Sequence, residues 1–212
     1  QRPGPSTGQG TAFFAGDIMQ VKWGSHGDYQ NIALYPWSVQ ESYDLSIKAF
    51  NLAEQYRVPV ILLSEAAISR MEERIEIREE VAVFDREKAT GPIPHNLPSE
   101  TVQPMPVFGA GQKVKSAGGS RGYYWGGITD MEAQAGVVAR ANDKILDNRD
   151  SIIEYDSYYL EDAEVAVVAY GFTARSALFA VKALRQEGKK VGLLRLITIW
   201  PFPDKLIARV SS

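Results

Sequence analysis

Cysteine is absent from the 212 residues. That excludes disulfides, and it excludes a zinc or iron–sulfur centre held by thiolates of this chain. Histidine occurs twice, at His26 and His95, too few and too far apart in sequence to point to a metal site. No run of about eighteen apolar residues exists, so no membrane-spanning helix is expected. An excess of positive charge is missing too. The net charge is -3, without the basic bias of nucleic-acid binders. There is no secretory signal and no N-terminal Met; Gln1 stands inside a motif, and the true N-terminus is expected to lie upstream. These absences fit a cytoplasmic protein.

What is present is ordinary for a globular chain: 45% hydrophobic and 23% charged residues, enough for one large or two small domains with a buried core. The opening, Gln1-Arg2-Pro3-Gly4-Pro5-Ser6-Thr7-Gly8, packs prolines, glycines and hydroxyls too densely for a helix or a central strand. Two readings fit this loop. It is a surface turn with a solvated Arg2, or an anion-gripping loop in which Arg2 offers two parallel hydrogen bonds to a carboxylate or phosphate. Glycines let the backbone approach in the second case. Ser6 and Thr7 either donate to the ligand or close their own turn. A second glycine-flanked turn follows at Trp23-Gly24-Ser25-His26-Gly27-Asp28. His26 there serves a ligand or bonds within the turn, and Asp28 is expected to fix the turn.

Further on, Ile32-Ala33-Leu34-Tyr35 reads as a buried strand ending at Pro36. Ser38-Val39-Gln40-Glu41 has the form of a capping box. The helix after it carries one polar stripe, Gln40, Asp44, Lys48, Asn51 and Gln55, and is otherwise apolar enough to be mostly buried. Residues 58–63 supply a second apolar strand with Pro59 at its start. Strand, helix and strand with near-continuous apolar strands imply a parallel α/β unit. Ligands collect at strand carboxyl ends in such sheets, so residues 36–38 and 64–65 are candidate site edges. In residues 71–86 the pattern Ile75, Ile77, Val81, Val83 alternates as a strand would. Residues 91–127 are rich in Pro and Gly and read as a long irregular excursion.

Thr129-Asp130-Met131-Glu132 is a second capping box, opening a helix toward residue 149 with Val138, Ala141 and Ile145 on its apolar face. Residues 154–161 read as a polar, tyrosine-rich connection and mark a boundary. A second α/β unit follows: a buried strand over 164–170, a helix with Ala177, Leu178, Val181 and Leu184 inward, Gly188 past its end, and a long strand over 190–200. Gly171 and Thr173 give this helix only an incomplete phosphate-cradle pattern.

Several of these stretches together resemble the alpha subunit of the 2-oxoacid:ferredoxin oxidoreductases. They are the opening Gln-Arg-x-Gly-Pro-Ser-Thr-Gly, Gly16-Asp17-Ile18, Trp23-Gly24-x-His26-Gly27-Asp28, Pro36-x-Ser38-x-Gln40-Glu41, residues 49–54 and 59–64, and Gly192-Leu193-Leu194-Arg195-Leu196-Ile197-Thr198-Ile199-Trp200-Pro201-Phe202-Pro203. The likeness departs at residues 9–15 and 109–127. It implies an α/β fold: a pyrimidine-type thiamine-diphosphate-binding parallel-sheet domain over 1–155, then a transketolase C-terminal-like domain over 162–212, both incomplete.

The resemblance also implies a reaction: CoA-dependent oxidative decarboxylation of a 2-oxoacid to an acyl-CoA and carbon dioxide, with electrons passed to ferredoxin. Thiamine diphosphate and Mg²⁺ are then shared with a beta subunit, and a [4Fe-4S] cluster sits on the partner only. Arg2, with Ser6 and Thr7, matches the substrate-binding segment. Gly4, His26, Gly27 and Asp28 fall at the cofactor or site edge. The family glutamate that activates the cofactor lies upstream of Arg2, so no catalytic residue is identified here, and no metal ligand. The other class of reading is a non-catalytic α/β assembly subunit. A flavodoxin-like electron carrier is disfavoured, because no phosphate loop follows a first strand.

Overall fold

The computed structural model describes residues 2, 12, 14–26, 29–91, 102–112 and 131–211. Among them the chain runs α1 (Asp17–Trp23), β1 (Ile32–Leu34), α2 (Val39–Tyr56), β2 (Val60–Leu62), α3 (Ala66–Arg70), α4 (Met131–Leu146), α5 (Arg149–Ile152), β3 (Tyr155–Tyr158), β4 (Val165–Tyr170), α6 (Gly171–Gln186), β5 (Val191–Leu196), β6 (Thr198–Trp200) and α7 (Asp204–Val210).

β1, α2 and β2 form the expected parallel unit, paired from Ile32↔Val60 to Leu34↔Leu62. α2 starts where its cap chemistry says it should, with the Glu41 N–H donating to Ser38 Oγ at 3.1 Å. The Glu41 side chain does not close the box on Ser38. It accepts instead from the Trp37 N–H, 3.0 Å away. β1 is buried on both faces, which explains its unbroken apolar run. Ile32 and Leu34 pack with Leu45, Leu52, Tyr56, Ile145 and Ile152. Ala33 and Tyr35 pack with Leu194, Leu196, Ile199 and Leu206. Ile145 of the second expected helix face is fully buried, whereas Ala141 is exposed; Thr129 and Asp130 of that capping box lie outside the described residues.

Three expectations need correction. The sheets are mixed rather than parallel: one has the order β2-β1-β6, the other β3-β5-β4, and β6 on β1 and β3 on β5 are antiparallel. The connection expected at 154–161 contains β3, an edge strand whose polar side chains face solvent on alternate positions. The single long strand expected over 190–200 breaks at Ile197, whose N–H, like that of Thr198, turns to Glu154 O. The break lets β5 serve one sheet and β6 the other, and so ties the two units together. The buried Thr198 hydroxyl secures this junction by donating to Ile152 O and accepting from the Glu154 N–H, both at 3.0 Å.

Residues 71–87, whose alternation implied a strand, join no sheet and bend at Glu79–Glu80; they form a strap along α2, where Gln40 bonds the Glu76 backbone and Asn51 bonds Ala82 O and the Phe84 N–H. At the end of α6, Gly188 takes φ +79° and the Lys189 N–H returns to Leu184 O at 3.0 Å, the expected glycine termination. No helix among the described residues is long and apolar enough to cross a membrane.

Candidate functional site

The carboxyl ends of β1, β2 and β4 meet at the seam between the two sheets. Three residues beyond β2 stands Glu65, a carboxylate only 6% exposed. The Phe172 N–H donates to its Oε1 at 3.2 Å. No local side chain caps α6, so Glu65 places its negative charge at the helix N-terminus from another element. The anion site that Gly171 and Thr173 faintly signalled is therefore filled by the protein's own carboxylate.

Gly171 has φ +55°, and a Cβ there would overlap Glu65 Oε1 and the Tyr35 ring. Only glycine satisfies both the backbone and the packing. The Tyr35 ring lies 5.0 Å from that of Tyr170. Burial, then the adjacent Glu65 charge, pushes the Tyr35 phenol far above its ordinary range, and burial with Glu65 raises Tyr170 as well. Both phenols stay protonated. Beside them opens a cavity of about 250 Å³ lined by Phe14, Ala15, Glu65, Val168, Tyr170 and Thr173, among others. A larger groove of about 510 Å³, with Arg149, Tyr155, Lys205 and Arg209 on its walls, contains none of the residues singled out from the sequence.

The second feature of the seam is an ion triad. Arg195, the last residue but one of β5, is fully buried. Its guanidinium donates through Nη1 and Nη2 to both oxygens of Glu41, and through Nη1 to Asp156 Oδ2 at 2.7 Å. It stacks on the Trp37 ring with Cζ 3.7 Å from the centroid. A buried cation needs such partners to offset its desolvation. Glu41, read from the sequence as a capping-box partner, is thereby consumed in structure. The signal that could have found this network was one arginine inside the apolar run Leu193-Leu194-Arg195-Leu196.

Of the residues singled out from the sequence, Arg2 and His26 fall among those described; Gly4, Ser6, Thr7, Gly27 and Asp28 lie outside them. Arg2 is tied to the cavity wall through its backbone, since the Gly16 N–H donates to Arg2 O at 3.0 Å. Its side chain is 55% exposed, with Nε 3.5 Å from Asp17 Oδ1 and Nη2 3.3 Å from Gln20 Oε1. His26 is exposed, its Nδ1 3.2 Å from Ser25 Oγ. Neither Arg2 nor His26 lines the cavity; Arg2 is joined by its backbone to Gly16, the residue after the lining Ala15. Nearby, Lys22 lies against the rings of Trp23 and Trp200, at 5.3 and 5.6 Å from their centroids. No group of three or more His, Asp or Glu suited to a metal ion occurs among the described residues.

Two α/β units joined by a crossing strand, with a seam of buried charge at the strand ends, define the class of protein. Residues 1–132 match the family described as pyruvate flavodoxin/ferredoxin oxidoreductase, thiamine diP-bdg, and residues 163–212 match pyruvate:ferredoxin oxidoreductase core domain II. The chain belongs to this oxidoreductase family. It is 43% identical to the 2-oxoglutarate synthase subunit KorA of Methanothermobacter marburgensis and 42% identical to that of Methanocaldococcus jannaschii, each match covering 100% of this chain and 58% of the relative. Identity to the ketoisovalerate oxidoreductase subunit VorB of Methanothermobacter marburgensis is 34%, over 100% of this chain and 54% of that one. The chain thus spans under two thirds of these relatives. In fold it is similar to the 2-oxoglutarate:ferredoxin oxidoreductase from Magnetococcus marinus, a structure with 2-oxoglutarate, coenzyme A and succinyl-CoA bound. The TM-score is 0.80 at 24% identity, covering 96% of this chain and 37% of that one.

A thiamine site requires a carboxylate free to bond the cofactor's aminopyrimidine ring. The two carboxylates at the seam do not fit that need. Glu65, although it lines the cavity, is taken up by the Phe172 N–H at the start of α6, and Glu41 by Arg195 and Trp37. The described residues therefore do not complete the cofactor site.

Proposed function

We propose that this chain is the greater part of an alpha subunit of a 2-oxoacid:ferredoxin oxidoreductase, which converts a 2-oxoacid and coenzyme A to an acyl-CoA and carbon dioxide and passes electrons to ferredoxin. The observation that carries this reading is the double family match in one chain order, over 1–132 and 163–212. The division into lobes 1–155 and 162–212 goes with it. A beta subunit would hold Mg²⁺, the cofactor's diphosphate and the [4Fe-4S] cluster, in keeping with a chain that has no cysteine. A cytoplasmic enzyme is the corresponding location.

The contribution we assign to this chain is substrate orientation. The exposed Arg2 fork, held loosely by Asp17 and Gln20, can exchange those contacts for a bidentate pair with a 2-oxoacid carboxylate. Arg2 is not a base, because a guanidinium keeps its proton at any working pH. Ser6 and Thr7 belong to the same binding loop, with Gly4, His26, Gly27 and Asp28 at its edge. Identity of 43% and 42% to the two methanogen KorA subunits, against 34% to the ketoisovalerate subunit, favours 2-oxoglutarate as substrate.

Steady-state turnover of the assembled enzyme with 2-oxoglutarate, pyruvate and 2-ketoisovalerate tests this. The highest kcat/KM is expected for 2-oxoglutarate, together with thiamine binding by calorimetry that needs both subunits. No turnover of any 2-oxoacid by a cofactor-loaded complex would leave the chain a non-catalytic assembly subunit.

A further inference from the structure

α1 is apolar on two sides. Ile18 and Val21 pack against the core cluster that holds Ala33, Leu196 and Ile199, as the inward stripe of an amphipathic helix should. Met19 and Trp23, four residues apart and so on one face, lie on the outer side and are 56% and 59% exposed. A surface helix ordinarily carries polar groups there.

The outward apolar pair continues past the helix. Lys22 lies against both Trp23 and Trp200, 5.3 and 5.6 Å from their ring centroids. Trp200 in turn meets Phe202 at 5.8 Å, and Phe202 is 45% exposed. The Trp200 Nε1 donates to Ile18 O at 2.9 Å, so β6 and α1 hold these side chains in one surface. Tryptophan, phenylalanine and methionine gathered around a cation are the residue types that anchor protein interfaces. By contrast Phe179, 79% exposed on α6, meets no other ring among the described residues.

Two observations say what covers this patch. Gln20, which accepts from Arg2 Nη2 at 3.3 Å, precedes Trp23 by three residues and flanks it on the helix. The patch therefore borders the arginine assigned to the substrate, in a chain whose described residues do not complete the cofactor site. Lys22 donates to Gln30 Oε1 at 2.6 Å but pairs with no carboxylate among the described residues, which leaves its charge for a partner. A two-fold pair of this chain built on the patch would bring two such lysines together and is disfavoured for that reason.

We infer that Met19, Trp23, Trp200 and Phe202 are the alpha-subunit side of the contact with the beta subunit, which covers them with an apolar surface and sets a carboxylate on Lys22. This rests on the assignment of the chain to an alpha subunit. Seated there, the beta subunit also screens Arg2 from bulk water, where a guanidinium–carboxylate pair is strengthened.

The test is the dissociation constant of the two subunits, from sedimentation of the assembled oxidoreductase over a dilution series. Trp23→Ala should raise it by at least about 30-fold, the effect of a central aromatic anchor, and Trp23→Phe should recover most of the loss. Lys22→Glu should raise it about tenfold and Phe202→Ala about fivefold. Phe179→Ala should change it less than about twofold. The circular dichroism of each complex should match the parent's. Equal dissociation constants for the parent, Trp23→Ala, Lys22→Glu and Phe202→Ala, in a complex that does form, would overturn this inference and leave the alpha-subunit assignment standing. Failure of the parent chain to bind a beta subunit at all would overturn both. Self-association of the alpha chain that Trp23→Ala abolishes would give the patch to a second copy and overturn the inference alone.

Discussion

Arg195 and Arg2 show what the same side chain does in two settings. Arg195 is buried, with both terminal nitrogens bonded to carboxylates and its face stacked on Trp37; only its buried Nε lacks a hydrogen-bond partner among the described residues. Arg2 is more than half exposed, and its nearest carboxylate stands at 3.5 Å. A guanidinium saturated by its own chain contributes to stability, and one held loosely is available to a substrate. The glutamates divide in the same way: Glu41 and Glu65 are committed at the seam, while Glu72, Glu76, Glu79 and Glu80 form no ion pair among the described residues.

The largest effect expected from breaking this contrast is at Glu41. Glu41→Ala leaves the buried Arg195 with Asp156 as its one carboxylate partner and should destabilise the fold by about 3 kcal/mol in denaturant titration. Adding Arg195→Met to that variant should restore much of the loss, since an apolar side chain needs no counter-charge. A single Glu41→Ala within about 1 kcal/mol of the parent would mean that Asp156 alone compensates Arg195.

At the other end of the seam, Gly171→Ala combines a left-handed backbone with overlap on Glu65 and Tyr35, for an expected loss of about 3 kcal/mol. Asn51→Ala removes two hydrogen bonds from the strap and should cost about 1 kcal/mol. Faster amide exchange at Phe84, with α2 itself intact, would be its local signature.

A half-buried cation provides the intermediate case. Lys144 donates to Arg57 O at 3.2 Å and pairs with no carboxylate among the described residues. Burial, reinforced by Arg57 and Arg140, lowers its pKa from 10.5 to about 8. The unfolded chain therefore binds more protons between those two values, so stability rises as pH increases from about 8 to 10.5. Lys144→Met should be the more stable protein at pH 7, with the gap closing across that window in thermal melts. A gap independent of pH would place the Lys144 ammonium in water.

Much of the first unit was legible before the structure. Buried parallel strands carry unbroken apolar runs, and Ser38 with Glu41 announces the start of α2 by a local mechanism. The end of α6 at Gly188 was legible for the same reason. β3 was not, because an edge strand with alternating exposure has the composition of a loop. The strap's alternation was recognised, but alternation cannot say whether the backbone pairs with another strand or with side chains of a helix. The break at Ile197 depends on long-range bonds to Glu154, which no local pattern records. At the candidate site the resemblance pointed to Arg2, whereas the capture of α6 by Glu65 joins residues more than a hundred positions apart and leaves no periodic trace. Gly4, Ser6, Thr7, Gly27 and Asp28 retain the standing the resemblance gave them.

The central claim is that Arg2 serves the substrate and not the fold. Its most direct test is Arg2→Ala in the assembled oxidoreductase, with thermal stability and 2-oxoacid kinetics measured on one preparation. Loss of a charge-assisted pair predicts a fall in kcat/KM of about 10- to 100-fold, with stability within about 0.5 kcal/mol of the parent. Unchanged kinetics, or a stability loss large enough to account for the missing activity, would contradict it.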